Sequence, residues 1–122
     1  MAVLELNNDN FDATIQNNEI VILDFWAPWC GPCKSFAPTY EAMSDKIEGV
    51  TFAKINTEDE QELAGKFQIR SIPTLMIFRD QIAIFQQPGA MAEADLETVL
   101  TKAKELDMAI VRKEIEEQQA KS

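Results

Sequence analysis

The 122-residue chain contains no histidine. That removes the commonest general base near neutral pH and the commonest metal ligand together. Cysteine is nearly as scarce, with two residues, Cys30 and Cys33. A tetrahedral zinc site wants four ligands, so only sharing between two copies would complete one. Basic residues are few: 11 Lys and Arg stand against 21 Asp and Glu, for a net charge of −10. Nucleic acid is therefore not an expected partner, because phosphate binding needs clustered positive charge. The acids are scattered and read as a solvated surface, with electrostatic steering as the alternative. Long apolar runs are missing too. Ile20 to Leu23, the longest strongly apolar stretch, ends at Asp24, far short of the roughly 20 residues a membrane span needs. Residues 1–10 have neither a basic start nor an apolar core, so they are not expected to be a secretory signal. A cytoplasmic protein that does not engage membranes is expected, although a mature exported form would also lack its signal. No Gly, Ser or Pro-rich linker and no repeat divides the sequence. With 46% hydrophobic and 26% charged residues, one domain is expected.

What is present has a clear order. Val3-Leu4-Glu5-Leu6 reads as a short edge strand. Phe11 and Ile15 suggest a first helix, with Asn8 to Asn10 as cap candidates. Ile20 to Trp26 is an apolar run broken only by Asp24, as in a central strand covered on both faces. Phe36, Tyr40, Met43 and Ile47 mark one face of a helix that carries Pro38 inside it and Gly49 at its close. A strand over Val50–Ile55, a short helix over Glu58–Phe67 and an antiparallel pair over Thr74–Phe78 and Ile82–Phe85 follow. A helix from about Glu93 to Lys104 completes the order. The sequence β-α-β-α-β-α-β-β-α implies an α/β fold, a mixed sheet with helices on both faces.

The two cysteines form a C-x-x-C, Trp29-Cys30-Gly31-Pro32-Cys33-Lys34. A purely structural disulfide closing four residues contributes only about 2 kcal/mol, and a chain this long can form a core without it. Zinc lacks ligands. A redox dithiol is the favoured reading. The pair lies between a buried strand and a helix start, where the partial positive charge and unpaired amides favour thiolate. Pro32 suits that first turn because its missing donor costs nothing there. Cys30 is expected to be the exposed nucleophile, with Cys33 buried one turn further in to resolve the mixed disulfide. Asp24, flanked by Leu23 and Phe25, is expected to be buried, with a raised pKa that makes it a proton-transfer candidate.

Phe25 to Lys34 resembles the active-site stretch of thioredoxins. The likeness continues at Ala37-Pro38, Phe52 to Asn56 and Phe67 to Leu75, and covers about residues 2–105. Trp-Cys-Gly-Pro-Cys with a downstream Ile72-Pro73-Thr74 is a specific combination. The resemblance implies a thioredoxin-like three-layer sandwich, with 106–122 as a short C-terminal helical extension rather than a second domain. It implies reduction of protein disulfides, no bound cofactor, and regeneration by thioredoxin reductase, an NADPH flavoenzyme. It also implies that Asp24 accepts the proton of Cys33 through water, that Lys54 sits near this acid, and that the Ile72–Pro73 bond is cis beside the dithiol. The Ile72 backbone would then pair with an extended substrate. Trp29, Gly31, Pro32 and Gly89 would line the docking surface, while Trp26 is expected in the core. The protein is expected to be a monomer. Alternatives are a non-catalytic binding subunit, or an oxidase or isomerase; Gly31-Pro32 resembles the reductants.

Two positions depart from the family pattern. Gln81 replaces a glycine in the turn Arg79-Asp80-Gln81-Ile82, so a turn of different geometry is expected. Pro88 replaces the usual β-branched residue before Gly89. In the tail, Asp107 is a cap candidate, and Ile110, Val111 and Ile115 give an apolar side that suits packing on the domain or contact with a partner.

Overall fold

The protein, a computed structural model, is described over residues 3–121. Its strands are β1 (Leu4–Glu5), β2 (Ile20–Trp26), β3 (Thr51–Asn56), β4 (Thr74–Arg79) and β5 (Ile82–Pro88). Its helices are α1 (Phe11–Asn17), α2 (Gly31–Lys46), α3 (Gln61–Lys66), α4 (Glu93–Glu105) and α5 (Met108–Lys121). The sheet runs β1-β3-β2-β4-β5. β3 pairs in parallel with β1 and β2, while β4 pairs antiparallel with β2 and β5.

Strand alternation sends successive side chains of β2 to opposite faces. Val21, Leu23 and Phe25 pack with Phe11, Ile15 and Leu63 of α1 and α3. Ile20 and Ile22 pack on the other side with Phe36, Tyr40 and Met43 of α2 and Leu96 and Leu100 of α4. Both faces of β2 are thus covered, which is why its sequence is apolar almost throughout. Asp24 shares the face of Ile20 and Ile22, turned towards α2.

Local differences from the sequence reading have local causes. Asn10 stands at the cap of α1 but makes no side-chain cap bond. Instead Asn7 Oδ1 accepts the amides of Asp9 and Asn10. α3 begins at Gln61 rather than Glu58, because Asn56 builds a turn first: its Oδ1 accepts the Glu58 amide and its carbonyl the Glu60 amide. β5 runs on to Pro88, at the end of an edge strand that tolerates a missing donor.

The β4–β5 turn corrects the expectation for Gln81. Asp80 (φ 51°) and Gln81 (φ 71°) both lie at positive φ, with Arg79 opposite Ile82. That is the sign pattern of the favoured type I′ hairpin, formed here without glycine. Its surroundings hold it: the Asp80 amide donates to Glu19 O at 2.8 Å, and Asp80 Oδ2 lies 3.4 Å from Arg112 Nη1.

The extension is one helix of fourteen residues, longer than the short helix expected. Asp107 caps it, its Oδ1 accepting the amides of Ala109 and Ile110 at 3.0 and 3.3 Å. Met108 is buried and Val111 and Ile115 half-buried, so these three form the inward side, whereas Ile110 is exposed. Arg79 Nη1 donates to the carbonyls of Ala103, Lys104 and Leu106. It thereby satisfies acceptors left open at the end of α4 and holds the link to α5.

Candidate active site

Cys30 occupies the cap position of the sixteen-residue α2, with extended backbone (φ −86°, ψ 112°). Its Sγ accepts the Cys33 amide at 3.2 Å. Pro32 lies in the first turn, where its lack of N–H removes no helix bond. A sulfur placed here meets free amides and the positive end of the helix dipole, both of which favour thiolate over thiol. Cys30 and Cys33 are joined in a disulfide, with Cα atoms 5.2 Å apart, inside the range that needs no backbone displacement.

Exposure does not distinguish the two sulfurs. Cys30 is 4% exposed and Cys33 3%, which corrects the expectation of an exposed Cys30. Ala27, Trp26 and Ile72 pack around the pair, and Ile72 O approaches Cys30 Sγ to 3.8 Å. With no hydrogen on a disulfide sulfur, that approach is van der Waals contact. Position at the helix tip, rather than exposure, sets Cys30 apart.

Asp24 is 4% exposed, and its Oδ1 has no hydrogen-bond partner. Burial pushes its pKa up to about 7, with the Lys54 cation opposing the rise. Lys54 lies directly across the β2–β3 pair from Asp24, and its Nζ sits 5.1 Å from the centre of the Trp26 ring. Asp24, Lys54, Trp26, Tyr40 and Cys33 line one cavity of about 100 Å³, large enough for water, with the Asp24 carboxyl among its polar groups. Trp26 is half-buried over this cavity rather than in the core as expected. It ends β2 on the cavity face, beneath the Lys54 cation.

Around the dithiol, Trp29 is 65% exposed, and its Nε1 donates to Glu58 Oε1 at 3.1 Å. Gly31 and Pro32 are exposed, and a Cβ on Gly31 would meet nothing within 4 Å. The Ile72–Pro73 peptide bond is cis. Gly89 (φ +96°) needs its freedom of backbone, and its amide donates to Pro73 O at 2.7 Å, tying the end of β5 to this loop. The structure therefore gathers Cys33, Asp24 and Lys54 around a shared cavity. Cys30, bonded to Cys33, lies outside its lining, packed with Ile72. Trp29, Gly31 and Pro32 adjoin the two cysteines in the chain, and Gly89 is tied to Pro73.

Two contributors escaped the sequence reading. Glu58, the acceptor for Trp29, lies 29 residues away with no spacing signal. Tyr40 read as one more apolar position of α2. Its status as the chain's only tyrosine, set in an otherwise apolar stripe, was the available clue.

A reversible dithiol at a helix tip, beside a buried acid on a mixed sheet between helical layers, defines a thiol–disulfide oxidoreductase. The thioredoxin family model matches residues 2–102. A relative from Streptomyces coelicolor, bearing the provisional name thioredoxin 2, is 51% identical over 121 residues, or 99% of this chain and 90% of its own length. Thioredoxin from Haemophilus influenzae is 38% identical over 96 residues, covering 77% of this chain and 90% of that protein. Thioredoxin f from spinach chloroplast superposes with a TM-score of 0.77 at 30% identity, over 84% of this chain and 93% of that one. The chain belongs to the thioredoxin family.

Proposed function

We propose that Cys30 is the attacking sulfur of a protein-disulfide reductase, with Cys33 resolving and Asp24 taking up the proton. The Cys30 thiolate attacks one sulfur of a substrate disulfide, the substrate S–S bond breaks, and one substrate thiolate leaves. Cys33 then passes its proton through water in the cavity to Asp24. Its sulfur attacks Cys30, the mixed disulfide breaks, and the second substrate thiolate leaves. Two electrons have passed to the substrate, and the Cys30–Cys33 disulfide remains. Lys54 balances the negative charge that Asp24 bears before it is protonated. The Cys33 amide on Cys30 Sγ carries this reading, since it supports an anion on that sulfur alone.

An extended substrate segment would pair with the Ile72 backbone beside Pro73. Trp29, Gly31, Pro32 and Gly89 complete an apolar and backbone-lined rim that suits many partners. Regeneration falls to thioredoxin reductase, an NADPH flavoenzyme, in a cytoplasmic setting. Among the described residues no helix is long and apolar enough to cross a membrane. The chain works as a monomer whose domain, 1–105, carries the 106–122 extension as an attached helix. The fastenings at Arg79 and Arg112 support that reading. The test is a Cys33→Ser variant exposed to protein disulfides. It is expected to accumulate mixed disulfides on Cys30 that wild type releases; absence of any trapped adduct overturns the assignment.

A further inference from the structure

One buried polar group that the redox scheme leaves unused is the hydroxyl of Tyr40. It is fully enclosed, on the α2 face that also buries Cys33, Phe36 and Met43. A buried hydroxyl costs free energy unless it is bonded. This one donates its single proton between two strand carbonyls, Ile22 O at 2.9 Å and Ala53 O at 2.7 Å. Ile22 lies two residues before Asp24, and Ala53 immediately precedes Lys54. The hydroxyl therefore grips β2 and β3 just where they present the acid and the cation.

Tyr40 also lines the cavity shared by Asp24, Lys54 and Cys33. The exposed side chains of Lys34 and Glu41, both from α2, line the same cavity and mark its mouth, while Tyr40 marks its inner end. Lys34, Glu41 and Lys54 are the charged groups lining this cavity with Asp24. The Tyr40 ring is wedged between Phe36 and Phe52, at centroid distances of 5.6 and 5.2 Å, so its hydroxyl has a fixed place.

We propose that Tyr40 is a positioning residue of the redox reaction: its hydroxyl, clasped to the carbonyls before Asp24 and Lys54, seals the inner wall of the proton-transfer cavity against water. The hydroxyl adds a second donor to carbonyls of the β2–β3 ladder and occupies the place a solvent molecule could otherwise take beside them, and so limits hydration of the Asp24 carboxylate from that side. Its role in the reaction rests on Asp24 as proton acceptor; the sealing itself does not.

Tyr40→Phe keeps the ring and removes only the hydroxyl. Without it water can take the place of the hydroxyl at the inner end of the cavity, the carboxylate gains hydration, and its charged form becomes easier to reach. Carbon NMR of the Asp24 carboxyl in the oxidised protein is expected to show a midpoint lower than wild type by about half a pH unit or more. An unchanged midpoint, with only a loss of stability towards urea, would show a merely structural tyrosine and overturn the proposal. Kinetics supply the second arm. The pH profile for release of a preformed mixed disulfide should move down with Tyr40→Phe, and Tyr40→Phe should add nothing in an Asp24→Asn background. A profile shift that persists in that background overturns action through Asp24. If Asp24→Asn alone releases substrate at the wild-type rate, the proton-acceptor reading falls and takes the reaction role of Tyr40 with it, while the NMR midpoint still decides the sealing.

Discussion

Asp24 and Lys54 face each other across the parallel β2–β3 pair, yet burial outweighs the cation, and the acid keeps its proton to about pH 7. A carboxyl so placed is half-charged near neutrality, where it both accepts and returns a proton readily. The arrangement has a cost to the fold.

That cost is measurable through pH. Folded Asp24 releases its proton near pH 7, whereas the unfolded chain releases it near the ordinary value of 3.8. Between these values the folded state binds more protons, so stability falls as pH rises through the window. About three pH units correspond to a penalty of roughly 4 kcal/mol once pH exceeds 7. Asp24→Asn removes this titration. Urea unfolding of oxidised wild type and variant should show the variant gaining on wild type by up to that amount between pH 4 and pH 8. A stability difference constant across that range refutes the buried-acid assignment.

Lys54 lowers the Asp24 pKa, so removing its charge should raise it. In the proposed mechanism Asp24 must be deprotonated to receive the Cys33 proton, so the acidic limb of the resolving step moves with it. Lys54→Met is expected to shift that limb to higher pH and to slow release of mixed disulfides at neutral pH. The rate at pH 9, where the acid is largely ionised, should change little. Equal slowing at every pH would show that Lys54 acts elsewhere.

The hairpin turn offers a stability gain. Gln81 sits at φ 71°, a left-handed conformation that costs a side-chain-bearing residue roughly 1–2 kcal/mol. Gln81→Gly relieves that conformation, although glycine also loses more backbone freedom on folding. A net gain of about 0.5–1 kcal/mol in thermal or urea unfolding is expected, with disulfide reduction unaffected. A destabilised glycine variant would contradict the turn geometry.

Much of this was legible in the residues. The apolar run of β2, broken only by Asp24, announced a strand covered on both faces, and an acid inside such a strand announced a buried group, because neither face reaches water. The helix-tip placement of Cys30 followed from Gly31-Pro32 after a strand. What escaped depended on partners distant in sequence. Exposure of Cys30 is set by Trp26, Ala27 and Ile72, which close around it. The positive φ of Gln81 is imposed by the two-residue register of β4 and β5 and by Asp80's bond to Glu19. The inward face of α5 came from Met108 rather than Ile110, since the cap at Asp107 fixes the helix phase. Tyr40 looked apolar because a periodic pattern records which face a residue occupies and says nothing of where its hydroxyl points.

The central claim is that the helix tip holds Cys30 as an anion. The direct measurement is the thiolate absorbance of the reduced protein titrated from pH 4 to 10, with Cys33→Ser to assign the transition to Cys30. The helix-tip placement predicts a Cys30 midpoint below the value of about 8.5 of an unperturbed cysteine; a midpoint at or above that value would contradict the account.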